Sequence, residues 1–440
     1  MSTIEDTQPT LADALESLGS GPLTEASIRE SIWPLFSRTL DRPPHPKLDG
    51  RAEVYLANHS LGRPLDQAAR DVQRAMDLWY RDMDAAWIGD SGWMAEIETF
   101  RGLMARFIGA ARPDCIVPKT SAGQGLRAVL NAISDNGHVP TVVATRGEFD
   151  SCDFILKTYH SKGRARVRWV EPSITAPMRR YNADDVIAAI DGEVDLVLCS
   201  QVIFSTGEVL DGLPSITRAA HEHGALMVVD TYHSAGVMPI SVDGDGPGCM
   251  GGADFAIGGN YKYTRGGPGA CWLAVHPRHL STPDDEQHPT EMLSTLDTGW
   301  FAKRDTFSYR RTESPELSPG GDAWLESTPP ILTAYQARAG LELTLGIGLD
   351  RLRAYNLEQQ AQMRELFANR GLELFTPEKP GSFGGFALML HDDAPAVSDR
   401  LRAEGVNTDA RGGCVRFGPD LLSTGEDFEL AAEIVSRVIG

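Results

Sequence analysis

Between about residues 110 and 280 the chain alternates short apolar, β-branched runs with helical stretches, and this alternation restricts the fold more than any other feature of the sequence. A helix between successive strands lets them run parallel, and a parallel sheet needs both faces covered. The runs are Cys115–Val117, Thr141–Thr145, Ala165–Val170, Leu196–Ser200, Leu226–Asp230, Asp254–Ile257 and Ala270–Val275, each flanked by turn or helix-capping residues. They predict an α/β fold with a mostly parallel seven-stranded sheet flanked by helices.

Near Pro329-Pro330 the pattern changes. Long helical segments are expected at Ile331–Leu345 and Asp350–Arg370, then short strands at Phe386–Leu390 and Cys414–Phe417. The expected division is an N-terminal arm and helix (1–54) packing on the smaller domain or on a partner subunit, a large α/β domain (55–328) and a small α+β domain (329–440). A chain of 440 residues exceeds what one small core requires. No internal repeat is visible, which sets aside solenoids and propellers.

The net charge of −20 opposes binding to a nucleic-acid backbone or an anionic membrane, since both need clustered Lys and Arg. A small-molecule partner is expected instead. Six cysteines are scattered without a CxxC pair or a nearby His at metal-ligand spacing, so no metal site is expected and reduced thiols in the cytoplasm fit. The start MSTIEDTQPT has no signal-peptide pattern, and no apolar run approaches the length of a membrane span.

Three local patterns carry chemistry. In GGNYKYTRGGPGACWLAV, Lys262 follows one strand and precedes a glycine-rich turn and another strand. A lone lysine there is ordinarily a surface residue, but it also suits a covalent amine of the kind pyridoxal phosphate (PLP) requires. In ALMVVDTYHSAG a strand ends in Asp230, with His233 three residues on. Ligands gather beyond the carboxyl ends of strands in open α/β sheets, where a carboxylate can bind the pyridine nitrogen of PLP; the plain alternative is a helix cap. In PKTSAGQGL, Thr120 and Ser121 end a strand and open a helix, either as an N-cap or as a phosphate cradle. Phe149, after the next strand, is either core or a ring that stacks on the cofactor.

In this order the pieces resemble the kynureninases, in the class V, fold-type-I group of PLP enzymes. YLANHSLGRP, PKTSAG, VDTYHSAG and NYKYTRGGPGA are similar to that family's motifs, as are GWF at 299–301, STPPIL at 327–332 and TDARGGCVRFGP at 408–419. The resemblance implies that Lys262 is the Schiff-base lysine, Asp230 the pyridinium partner and His233 its neighbour near the ring. It implies that Phe149 stacks on PLP, that Thr120, Ser121 and Tyr261 hold the phosphate, and that Ser200 lies close to the cofactor. Trp300 and Thr328 would reach in from the second subunit of a homodimer. Arg416 would grip the substrate α-carboxylate, a task suited to a guanidinium fork, and His59 and Ser327 would also face substrate.

The implied activity is hydrolytic cleavage of the Cβ–Cγ bond of kynurenine, 3-hydroxykynurenine or a similar γ-carbonyl amino acid, giving alanine and an aromatic acid. Lys262, Tyr261 and Asp230 would do the catalysis, with Tyr261 as general acid or base. The chain also departs from the motif pattern: His59 replaces Asn, Thr264-Arg265 replaces Leu-Asn, and Gln201-Val202-Ile203 replaces Gly-Val-His. The aspartate usual after Phe149 is Cys152 or has slipped to Asp153. A different class V reaction, such as β-elimination, desulfination or transamination, is the alternative. Cys414, beside Arg416, is read as a small buried residue rather than a nucleophile.

Overall fold

A computed structural model describes residues 8–134, 137–174, 177–244, 246–282, 292–375, 379 and 381–440. After a short strand β1 (Val54–Tyr55) come the strands of the main sheet: β2 (Ile116–Lys119), β3 (Thr141–Thr145), β4 (Arg166–Val170), β5 (Leu196–Ser200), β6 (Leu226–Asp230), β7 (Phe255–Gly259) and β8 (Cys271–Val275). Their order is β2-β8-β7-β6-β5-β3-β4. Because β8 pairs antiparallel with both its neighbours while all other pairs are parallel, β8 alone runs against the rest.

Alternation along each strand explains why both faces are apolar. Leu196 and Leu198 of β5 join one core cluster with Leu126 and Val129 of the helix Ala122–Ala132; Val197 and Cys199 join the other with Ile216 and Ala220 of the helix Leu213–Glu222. The strand limits match the apolar runs within about two residues. Asp254 lies just outside β7, and its carboxylate accepts the N–H of Met227 at 2.8 Å and bonds the His279 ring at 2.7 Å.

A second, antiparallel sheet holds β9 (Ala387–Leu390), β11 (Asp409–Arg411) and β12 (Cys414–Phe417) in the order β11-β12-β9, while β10 (Val406–Asn407) pairs parallel with β1. Val54 and Leu56 share a core with Phe417 and Val435, so the segment around β1 packs with the C-terminal sheet. The N-terminal helices Leu11–Leu18 and Glu25–Ser31 bury Ala14 and Ile28 against Ala339, Leu343 and Leu352. The helix Ile331–Ile347 turns its other side to the main sheet's layer, with Ala334 and Leu341 in the same cluster as Ile97 and Met104.

Candidate active site

Since β2, β3, β5, β6 and β7 run in one direction, their carboxyl ends lie along one edge, and the loops that leave them carry Thr120-Ser121, Phe149, Ser200-Gln201, Tyr232-His233 and Tyr261-Lys262 respectively. β8 begins at the same edge, with Cys271 opposite both Lys119 and Gly259. These ends enclose a cavity of about 470 Å³ that Thr120, Ser121, Phe149, Asp230, Tyr261 and Lys262 line together. Sequence positions up to 142 residues apart thus meet in one place, where an open α/β sheet binds its ligand.

Lys262 is buried, at 4% exposure. Its loop is pinned from both sides: Gly62 donates its N–H to the Tyr261 carbonyl at 2.8 Å, and Thr264 Oγ1 donates to the Asn260 carbonyl at 2.9 Å. A Cβ at Gly62 would stand 1.9 Å from the Lys262 carbonyl oxygen, so the NHSLG motif needs glycine there. The Nζ lies 2.6 Å from His233 Nε2 and 5.6, 4.9 and 5.8 Å from the ring centroids of Phe149, Tyr232 and Tyr261. Burial, helped by the Arg416 charge, holds the amine well below the usual lysine range. A neutral amine is the form that attacks a carbonyl carbon. Burial likewise keeps His233 neutral, and its Nδ1 has no hydrogen-bond partner.

Asp230 ends β6 fully inside. One carboxylate oxygen accepts the Tyr232 N–H at 2.8 Å; the other faces Cys152 Sγ at 3.7 Å. Burial raises its proton affinity, and the Tyr232 N–H and the Lys262 charge oppose that rise. Cys152 lines the cavity, whereas Asp153 pairs with Lys157 at 2.6 Å. Ser200 stands beside Asp230 in register but gives its hydroxyl to Glu148 at 2.5 Å. Glu148 also accepts from Thr145 Oγ1 at 2.6 Å, and burial pushes its carboxyl up to about 7 against those two donors.

Ser121 is the N-cap of the helix Ala122–Ala132 and accepts the Gln124 N–H at 3.1 Å; Thr120 donates from both N and Oγ1 to the Gln124 side chain. At Gly123 a Cβ would meet Ile155 at 2.9 Å, so glycine keeps the first turn open. Thr120, Ser121, Ala122 and Gly123 at this helix start line the cavity, and a helix N-terminus suits an anion.

Arg416 does not line this cavity. Its Nε donates to Asp409 Oδ1 at 2.7 Å, its Nη2 to Asp409 Oδ2 and to Ser60 Oγ, and its Nη1 to the Phe204 carbonyl. His59 completes the cluster through Nε2, 2.8 Å from Asp409 Oδ1, and burial lowers that imidazole to about 4. Burial opposes ionisation of Asp409, but His59 and Arg416 hold it well below the usual carboxylate range. Arg416 approaches the Lys262 side across Phe386, whose ring is 5.1 Å from the guanidinium and 6.1 Å from the His233 ring. Trp300 packs on Phe301, while Thr328 edges a separate apolar groove with Trp79, Met83 and Leu332; Ser327 is exposed next to it. Within one protomer these three stay apart from Lys262. Cys414 is buried with Phe386 and Leu388.

Residues 67–410 match the class-V aminotransferase family. The chain belongs to that family. Within it, a kynureninase of Myxococcus xanthus is 30% identical over 325 residues, 71% of each chain. The kynureninases of Deinococcus radiodurans and Salinispora tropica are 29% identical, covering 85% and 90% of this chain and 87% and 92% of theirs. Among solved structures, the apo cysteine desulfurase of Thermococcus onnurineus superposes with a TM-score of 0.71 at 18% identity over 88% of this chain and 94% of its own. A cystine C–S lyase in complex with cysteine persulfide superposes at 0.72 and 16% over 87% and 97%. These likenesses show the fold.

As a class-V aminotransferase family member the chain is a PLP-dependent enzyme, and its cavity fits that group. It offers a buried neutral lysine for the aldehyde, a buried carboxylate for the ring nitrogen, an aromatic ring beside both and an open helix terminus for the phosphate. The motif reading missed Glu148, Tyr232 and Asp409. Asp409 was visible as the acid in TDARGGCVRF, seven residues before Arg416, but nothing local announces that strands β11 and β12 set the two face to face.

Proposed function

We propose that this enzyme hydrolyses the Cβ–Cγ bond of kynurenine, 3-hydroxykynurenine or a closely similar γ-carbonyl amino acid, releasing alanine and an aromatic acid. The observation that carries the reading is the coincidence of kynureninase relatives along nearly the whole chain with Lys262, Asp230 and Tyr261 converging on one cavity.

Bound PLP would supply an electron sink for the pair freed at the substrate Cα. In this reading Lys262, neutral and buried, takes the Cα proton and returns it, while His233 at 2.6 Å shares that proton. Asp230 would face the ring nitrogen and favour its protonated form. Water added at the γ-carbonyl would let the Cβ–Cγ bond break with its electron pair left on the β-carbon, where Tyr261, its hydroxyl proton held more firmly than usual by burial, would deliver a proton. Phe149 would stack on the ring, Thr120, Ser121 and Tyr261 would hold the phosphate, and Ser200 would support the site through Glu148. Arg416 takes the α-carboxylate beside His59, with Asp409 as its standing counter-charge.

A homodimer is part of the proposal. Trp79, Met83 and Leu332 leave 51%, 61% and 40% of their surface exposed around the groove that contains Thr328, an apolar face that a second copy would cover while bringing Trp300, Ser327 and Thr328 to the neighbouring site. No helix among the described residues is long and apolar enough to cross a membrane. The six cysteines are all unpaired, which supports a cytoplasmic setting. The test is an absorbance time course of the PLP-loaded protein with each kynurenine, assaying alanine alongside. Alanine with the matching anthranilate supports the reading; pyruvate or a keto acid instead would assign the scaffold to elimination or transamination.

A further inference from the structure

We infer that Arg127 is an additional partner of the cofactor phosphate, one that the motifs around Thr120 and Ser121 do not include. The inference rests on the reading of those two residues as the phosphate turn. Arg127 sits in the second turn of the helix Ala122–Ala132 and lines the same cavity as Lys262. Helical side chains lean toward the N-terminus. Accordingly, Arg127 Nη1 and Ser121 Oγ each lie 3.9 Å from the point that a Cβ on Gly123 would occupy, so guanidinium and hydroxyl flank one spot above the first turn.

Arg127 is exposed there and makes no hydrogen bond or ion pair with any described residue. Neither Glu326, which accepts from Lys119 at 3.1 Å and Gln124 at 2.7 Å, nor Asp297, which accepts from Asn131 at 2.9 Å, pairs with it. A cation laid over a helix N-terminus opposes the positive end of the helix dipole, an arrangement that is unfavourable until an anion arrives. A phosphate dianion placed on the turn would answer both charges at once, and the planar fork can reach two of its oxygens where a lysine would offer a point charge.

The test compares binding of PLP and of pyridoxal, which lacks the phosphate, to the apoprotein by equilibrium titration of absorbance. Arg127→Gln is expected to weaken PLP binding about 10-fold, the scale of one charge-assisted hydrogen bond, and to leave pyridoxal binding unchanged. Arg127→Lys should recover part of the loss. In the holoprotein, the phosphorus resonance of the bound phosphate should titrate at higher pH in Arg127→Gln than in the unaltered protein. If Arg127→Gln binds PLP normally while Ser121→Ala does not, the assignment of Arg127 fails and the phosphate turn stands. If neither variant, nor Thr120→Ala, changes the preference for PLP over pyridoxal, the turn itself is misread. Equal weakening of PLP and pyridoxal would mean general damage and would also overturn the inference.

Discussion

The Nζ of Lys262 and the Nε2 of His233 lie 2.6 Å apart, both buried and both held toward their neutral forms. Two cations at that distance in a dry site would repel strongly, so one proton at most is shared between them. The pair is therefore a ready donor and acceptor next to the cavity rather than a structural ion pair.

Replacing Lys262 with Ala should lower turnover by about 1000-fold or more, as expected for losing a proton-transferring group that also anchors the cofactor. The visible absorbance of lysine-joined PLP should vanish in the same variant. Retention of both would refute the role of Lys262.

Glu148 predicts a pH dependence of stability. Its carboxyl titrates near 7 in the fold against an ordinary 4.5, so between those values the folded state keeps a proton that the unfolded chain has released. Stability then falls as pH rises from about 4.5 to about 7, by about 3 kcal/mol in all. Glu148→Gln should remove this slope, matching the unaltered protein near pH 4.5 and exceeding it at pH 8 in urea denaturation. An unchanged slope in the variant would locate the proton elsewhere.

Asp409→Asn leaves the Arg416 guanidinium buried without its counter-charge. Removing one partner of such a pair typically costs about 3 to 5 kcal/mol. A drop of that order in the urea midpoint analysis is expected, together with a raised KM for the amino-acid substrate. A variant as stable as the parent would show that Arg416 finds other partners.

Leu332→Asp places a charge in the exposed apolar groove beside Thr328. If the proposed dimer uses this face, sedimentation should show a shift from dimer to monomer, and activity per chain should fall because Trp300 and Thr328 would no longer be brought to a neighbouring site. A dimer of normal activity would place the interface on another face.

How much of this was legible follows from how local each signal is. Strands β3, β5 and β6 coincide with their apolar runs, because a strand buried on both faces admits few polar residues and stands out in any reading. The motif residues at strand ends were legible for the same reason: each is anchored to a recognisable strand. Asp409, 350 residues from His59, gave no comparable signal. Ser200 was legible as a residue beside the cofactor, but its hydroxyl bond to Glu148, 52 residues earlier, was not.

The sequence by itself determined the layered sheet, the direction of most of its strands, and the gathering of Lys262, Asp230, Phe149 and the Thr120-Ser121 turn at one edge, since short-range patterning and chain direction suffice for these. Only the tertiary structure decided the charge states and partners within that edge. Burial sets the protonation of Lys262, His233 and Glu148, and burial, like the meeting of His59, Asp409 and Arg416 or the placing of Cys152 against Asp230, depends on contacts between residues far apart in the chain.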